Sequence, residues 1–209
     1  MLTFFVIIIV IFSAVIHEVS HGFVAYKLGD PTAKLAGRLT LNPLKHLDLF
    51  GSIILPIFLS LMPGGIIFGW AKPVPYNPFN LKDPEKGAAQ IAFAGPVSNF
   101  VLALLFSVIV RLTFNTSSPF LNNVNFLATL IVIINITLGV FNLIPFPPLD
   151  GAKVLQYLVP DKFYKLKLFL NENNLYGWFL LVIFIFVGFS LITPIINFIF
   201  KIFTGINFY

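Results

Sequence analysis

From Leu2 to Tyr26 the chain is apolar at nearly every position, and only Thr3 and Ser13 are polar before His17. As a helix at 1.5 Å per residue this stretch reaches about 37 Å, more than the roughly 30 Å of a bilayer core. It predicts a membrane span, closed by Asp30-Pro31. Thr32 to Asn42 alternates weakly and predicts a strand. Leu49 to Phe68 is apolar but cut by Pro56 and Pro63-Gly64-Gly65. Its longest uncut helix would be about 21 Å, too short to cross, so a re-entrant or hairpin segment is expected. Phe68 to Pro78 reads as extended, with Pro73 and Pro75 removing N–H groups from one edge and leaving Lys72, Val74 and Tyr76 on the other. That stretch is either a strand open to pairing or a proline-stiffened loop. Ala88 to Val110, Phe126 to Phe146 and Trp178 to Phe200 predict three further spans, the last kinked near Pro194. Leu112 to Asn125 and Asp161 to Asn174 read as polar connections.

Composition agrees. Of 209 residues 58% are hydrophobic and only 10% charged, with a mean hydropathy of +0.95, which excludes a soluble domain. No cysteine is present, so disulfides and thiolate metal ligands are excluded. The net charge of +5 is concentrated in three basic clusters, Lys27 to Lys45, Lys72 to Lys86 and Lys153 to Lys167. Such grouping is the positive-inside pattern of a polytopic membrane protein, and no nucleic-acid partner is expected. If the first span runs inward and Leu49 to Phe68 returns to its own side, all three clusters lie inside. Without a basic leader or a small-residue cleavage site, a cleaved signal peptide is not expected. The expected fold is an all-α polytopic membrane protein. It has about four transmembrane helices, a re-entrant segment and a small β-hairpin-like region near the active site. The chain is read as one domain, residues 1–209, with a core at 1–158 and a C-terminal helix region at 159–209.

Within the first span lie His17, Glu18 and His21. A carboxylate at that depth costs roughly 2.5–3.5 kcal/mol, so it is rarely present without a partner or a task. Residues four apart share a helix face, so H17-E-V-S-H21 can offer two imidazoles to one zinc, with Glu18 placed to move the proton of an activated water. The bland alternative is polar glue between helices. Catalytic zinc usually takes a third protein ligand. No other span carries a histidine and cysteine is absent, so a carboxylate is sought. Asp150, beyond a proline-rich stretch at the inner end of a span, is the first choice, and Asp48 and Asp30 are the rivals.

H17-E-V-S-H21, A94-G-P-V-S-N99 and N142-L-I-P-F-P-P-L-D150-G, in that order, resemble the site-2 protease family of intramembrane zinc metalloproteases. The resemblance runs from the first span to about Leu158. It implies one zinc on His17, His21 and Asp150 and catalysis by Glu18. It also implies an active site lined by Asn99 and Asn142, candidates for holding substrate or oxyanion. His46, in Asn42-Pro43-Leu44-Lys45-His46, resembles a segment of small family members and is a candidate accessory residue, or simply an interfacial histidine. With no PDZ-like insertion or CBS-type tail in view, a small form of the family is expected. The implied substrate is a transmembrane protein or peptide in a prokaryotic plasma membrane, cut from the cytoplasmic side, with lipid as the other partner. Rival readings are a metal-ion transporter and an inactive zinc-binding scaffold.

Overall fold

The computed structural model describes residues 2–54, 71–171 and 188–207, with positions 177, 179, 181, 183 and 184 between the last two stretches. Its helices are α1 (Leu2–Lys27), α2 (Thr32–Leu35), α3 (Pro84–Thr113), α4 (Pro119–Asn142), α5 (Asp150–Leu158), α6 (Tyr164–Phe169) and α7 (Phe189–Thr204). Short 3-10 turns form at Pro43–Lys45, Pro78–Asn80 and Asp161–Phe163, and a π-helical turn at Leu49–Ile54. Three helices, α1, α3 and α4, are long and apolar enough to cross a membrane. Most of the predicted fourth span before α7, and most of the predicted re-entrant segment after Ile54, lie outside the described residues. The chain divides into two compact units, Met1–Gly87 and Ala88–Tyr209.

In the first unit α1 stops where Gly29 adopts φ +105° and Asp30 N–H turns back to Ala25 O at 2.9 Å. The strand expected over Thr32 to Asn42 does not form. Asp30 accepts hydrogen bonds from both the N–H and the hydroxyl of Thr32, which starts the helical turn α2 instead. Gly37, at φ +66°, then reverses the chain. This local side-chain bonding outweighs a weak alternation. Among the described residues there is no strand, so no hairpin is formed by them either. Ala71 to Asn77 belongs to no regular element, and Val74 packs on α1 over Gly22. A Cβ on Gly22 would come within 2.8 Å of the Val74 side chain and 2.7 Å of the Leu39 side chain, so one of them would have to shift to admit it.

In the second unit α3, α4 and α7 pack around Ala103, Val110, Ala128, Val132, Ile136, Ile192, Ile196 and Phe200. Small residues set the spacing: a Cβ on Gly139 would meet the Phe100 ring at 2.9 Å. The opposite face of α3, with Val101, Leu104, Leu105 and Val108, is exposed, as a lipid-facing surface is. Both long helices begin earlier than their apolar runs suggest. Asp83 accepts from Lys86 N–H ahead of α3 and Ser118 from Leu121 N–H ahead of α4, and Pro84 and Pro119 occupy first turns. Asn125, assigned by sequence to a polar connection, therefore sits inside α4. It ties that helix to α3 through Val110 O and Thr113 Oγ1, each at 2.9 Å. Arg111 is held too: Nε and Nη2 donate to Phe203 O and Ile202 O at 2.7 Å, covering carbonyls at the end of α7.

Deeper between α3 and α4, Asn99 Nδ2 donates to Asn135 Oδ1 at 2.9 Å, and both residues are fully buried. Polar pairs between helices in a membrane contribute about 0.6 kcal/mol on average and up to about 1.7. A double-mutant cycle of Asn99→Ala and Asn135→Ala, read by reversible unfolding in detergent, is expected to give a coupling energy in that range. Strictly additive losses would rule out the clasp.

Candidate metal centre

His17 and His21 lie one helical turn apart on α1, and their rings meet edge to face with centroids 4.6 Å apart. His17 is buried and His21 half-buried. The HExxH spacing thus does on the folded helix what it predicted, bringing two imidazoles to one face. The donors fit zinc: two borderline nitrogen ligands at one place, with thiolates excluded by composition.

Glu18, between them in sequence and half-buried, accepts a hydrogen bond at Oε2 from Val74 N–H at 2.8 Å. Two N–H groups of the edge that the sequence left as either open to pairing or part of a proline-stiffened loop are engaged within their own unit: Lys72 N–H donates to His46 O at 2.8 Å and Val74 N–H to Glu18. Pro73 and Pro75, lacking N–H groups, leave those of Lys72 and Val74 as the donors of this stretch. What that edge faces, an acid on α1, could not be read from local pattern.

His46 is 1% exposed, with Nε2 2.9 Å from Thr40 O. It is buried in its loop, where its carbonyl anchors Lys72. Asp48 and Asp30, the rival acids, have other partners. Asp48 Oδ1 accepts from Gly51 N–H at 2.7 Å, at the head of the π-helical turn. Asp30, fully buried, accepts from Asn77 N–H at 2.6 Å and Asn80 Nδ2 at 2.7 Å besides Thr32. It fastens the far end of the Ala71 to Asn77 segment to the end of α1.

In the second unit Asp150 opens α5. The turn before it is tight: Leu149 N–H reaches Phe146 O at 2.8 Å and Ala152 N–H reaches Leu149 O at 3.1 Å. The following glycine has a steric reason, because a Cβ on Gly151 would lie 2.2 Å from Leu143 O. Asn142 ends α4 and gives Nδ2 to Leu138 O at 3.0 Å, within its own helix. Asn99 is the buried half of the pair described above. Sequence reading missed Asn135 and Arg38. Asn135 carried a signal as an amide inside a span, whereas Arg38 was absorbed into a basic cluster.

The model of peptidase family M50 matches residues 4–126 and 114–186. The chain is 40% identical over 160 residues to the "Putative zinc metalloprotease YwhC" of Bacillus subtilis, covering 75% of this chain and 69% of that protein. It is 34% identical over 154 residues to the "Putative zinc metalloprotease Rip2" of Mycolicibacterium smegmatis, covering 71% of this chain and 55% of that one. A zinc metalloprotease of Methanocaldococcus jannaschii is 29% identical over 160 residues, 77% of this chain and 36% of its own length. The chain thus spans about half of the second relative and about a third of the last. No solved structure matches it.

Two tests follow from the local geometry. Gly151→Ala places a methyl against a carbonyl and is expected to cost about 1–3 kcal/mol of stability, read as a lowered unfolding midpoint. An unchanged midpoint would show that the turn relaxes freely. For Asp30, burial by itself would push the carboxyl up. The hydrogen bonds from the Thr32 hydroxyl, the Asn80 amide and the Asn77 and Thr32 N–H groups outweigh it and hold the group below its ordinary value. A depressed acid stabilises the fold above its unfolded pKa of about 3.9 and loses that contribution as pH falls through the folded value. Exchange of the Asn77 amide, corrected for intrinsic rate, should stay flat from pH 7 to about 5 and accelerate only at acid pH. Acceleration already near neutrality would contradict the assignment.

Proposed function

The chain belongs to peptidase family M50, the site-2 protease family of zinc metalloproteases, and on that premise we propose that it hydrolyses peptide bonds in or beside the transmembrane segments of other membrane proteins. One observation carries the reading. Two imidazoles stand one turn apart on a helix long enough to span, and the acid between them in sequence is held by a backbone N–H.

His17 and His21 would hold the zinc, with Asp150 as third ligand, chosen by the Leu-Asp-Gly motif and by the lack of another histidine or cysteine in a span. Two imidazoles and a carboxylate make a three-ligand set of the catalytic kind. Bound zinc supplies an acidified water and a Lewis acid for the scissile carbonyl. Glu18 takes a proton from the attacking water and delivers one to the leaving amine. Asn142 gives one Nδ2 hydrogen to Leu138 O, and its other is assigned the oxyanion, where one such donor contributes about 2.7–4 kcal/mol. Asn99, fully buried and bonded to Asn135, is assigned to the interhelix clasp.

Four spans with Leu49 to Phe68 re-entrant would put all three basic clusters inside, so the site opens toward the cytoplasmic face of a prokaryotic plasma membrane. A helical substrate hides its carbonyls in its own hydrogen bonds and must unwind locally before it is cut.

Glu18→Gln keeps the shape of the side chain and removes its proton chemistry. It is expected to abolish cleavage while retaining one zinc per chain, whereas His17→Ala, His21→Ala and Asp150→Ala should each lower zinc content at least tenfold in metal-limited buffer. Comparing membrane-protein fragments in cells carrying wild type or Glu18→Gln would reveal the substrates. Undiminished fragments in the Glu18→Gln cells would exclude the protease reading, and full zinc in Asp150→Ala would exclude Asp150 as ligand.

A further inference from the structure

Arg38 is 8% exposed, yet among the described residues its guanidinium meets no carboxylate. Its Nη2 donates to Lys72 O at 2.6 Å and Pro73 O at 3.3 Å, and its Nε has no partner among them. A cation withdrawn from water onto neutral carbonyls is costly, and a positive charge needed only for topology would sit in solvent. The two carbonyls it holds immediately precede the N–H that binds Glu18.

The segment between them has few other means of being placed. Pro73 and Pro75 have no N–H. Lys72 N–H goes to His46 O, and the His46 ring, 1% exposed, is pinned by Nε2 at Thr40 O. Val74 sits on the bare backbone of Gly22, next to His21. Arg38 and His46 thus grip Lys72-Pro73 from the carbonyl and the N–H side, and the next N–H along falls on the Glu18 carboxylate.

We propose that Arg38, assisted by His46, is a positioning residue for the catalytic glutamate. It clamps Lys72-Pro73 so that Val74 N–H fixes one carboxylate oxygen of Glu18 and stops the carboxylate from turning. The rate then depends on Arg38 although Arg38 touches neither substrate nor metal. This rests on the reading of Glu18 as proton carrier.

The test uses the full chain in liposomes, loaded with zinc. The probe is a fluorescence-quenched peptide of one apolar membrane-spanning segment with a central Asn-Gly helix break. Arg38→Lys draws the donor back from both carbonyls that Nη2 now reaches, Arg38→Ala loses the clamp, and Val74→Pro removes the N–H along with the side chain that packs over Gly22. All three are expected to retain wild-type zinc and lose about 10- to 100-fold in kcat with KM within twofold, the loss of one hydrogen bond to a charged group. Methylguanidine should restore kcat to Arg38→Ala and not to Val74→Pro. Exchange of the Val74 amide should be at least tenfold faster in Arg38→Ala. An unchanged or raised kcat in Val74→Pro would overturn the proposal, a raised value identifying the segment as an inhibitory strap. A loss confined to KM would also overturn it, making the segment a substrate contact, and so would zinc lost in step with activity. If Glu18→Gln cleaves the probe as fast as wild type, the proton-carrier reading has failed, and Val74 exchange in Arg38→Ala still decides whether the clamp exists.

Discussion

The hydrogen bond from Val74 N–H to Glu18 is the interaction on which the first unit is organised. In a bilayer every polar group must find its partner within the protein, because no water is there to supply one. An acid in the middle of an apolar helix therefore needs a donor brought to it from elsewhere in the chain. The segment around Val74 supplies that donor, provided it is itself held in place. Asp30 holds its far end, Arg38 and His46 hold its near end, and Gly22 lets it lie against α1.

The same constraint shapes the second unit with different residues. Asn99 and Asn135 satisfy each other between α3 and α4, Asn125 reaches across to α3, and Arg111 spends its guanidinium on carbonyls at the end of α7. The apolar core around Val132 and Ile136 then needs only to pack closely, since lipid solvates Leu and Ile as well as a protein interior does. Specific geometry in both units comes from a few polar ties and from glycines at the closest approaches.

These ties mark the limit of what the sequence made legible. Long apolar runs revealed α1, α3 and α4, because length and hydropathy are properties of the run itself. The placement of His17 and His21 on one face followed from spacing alone. The strand expected at Thr32 failed because Asp30, two residues earlier, had partners that no periodicity reveals. Arg38 looked like one more positive-inside charge, and its burial depends on Lys72, 34 positions later. The Leu-Asp-Gly motif signalled Asp150. The steric reason for its glycine, a carbonyl of Leu143, appears only when the turn is built.

On this account the chemistry depends on a specific set of ligands: two imidazoles from one face of α1 and one carboxylate, with no sulfur and no third histidine. Zinc K-edge X-ray absorption of the loaded protein tests that set most directly. The account predicts a shell of nitrogen and oxygen at about 2.0–2.1 Å with multiple scattering from two imidazoles, and a changed shell in Asp150→Ala. Three imidazoles, which would bring in His46, or a shell indifferent to Asp150, would contradict it.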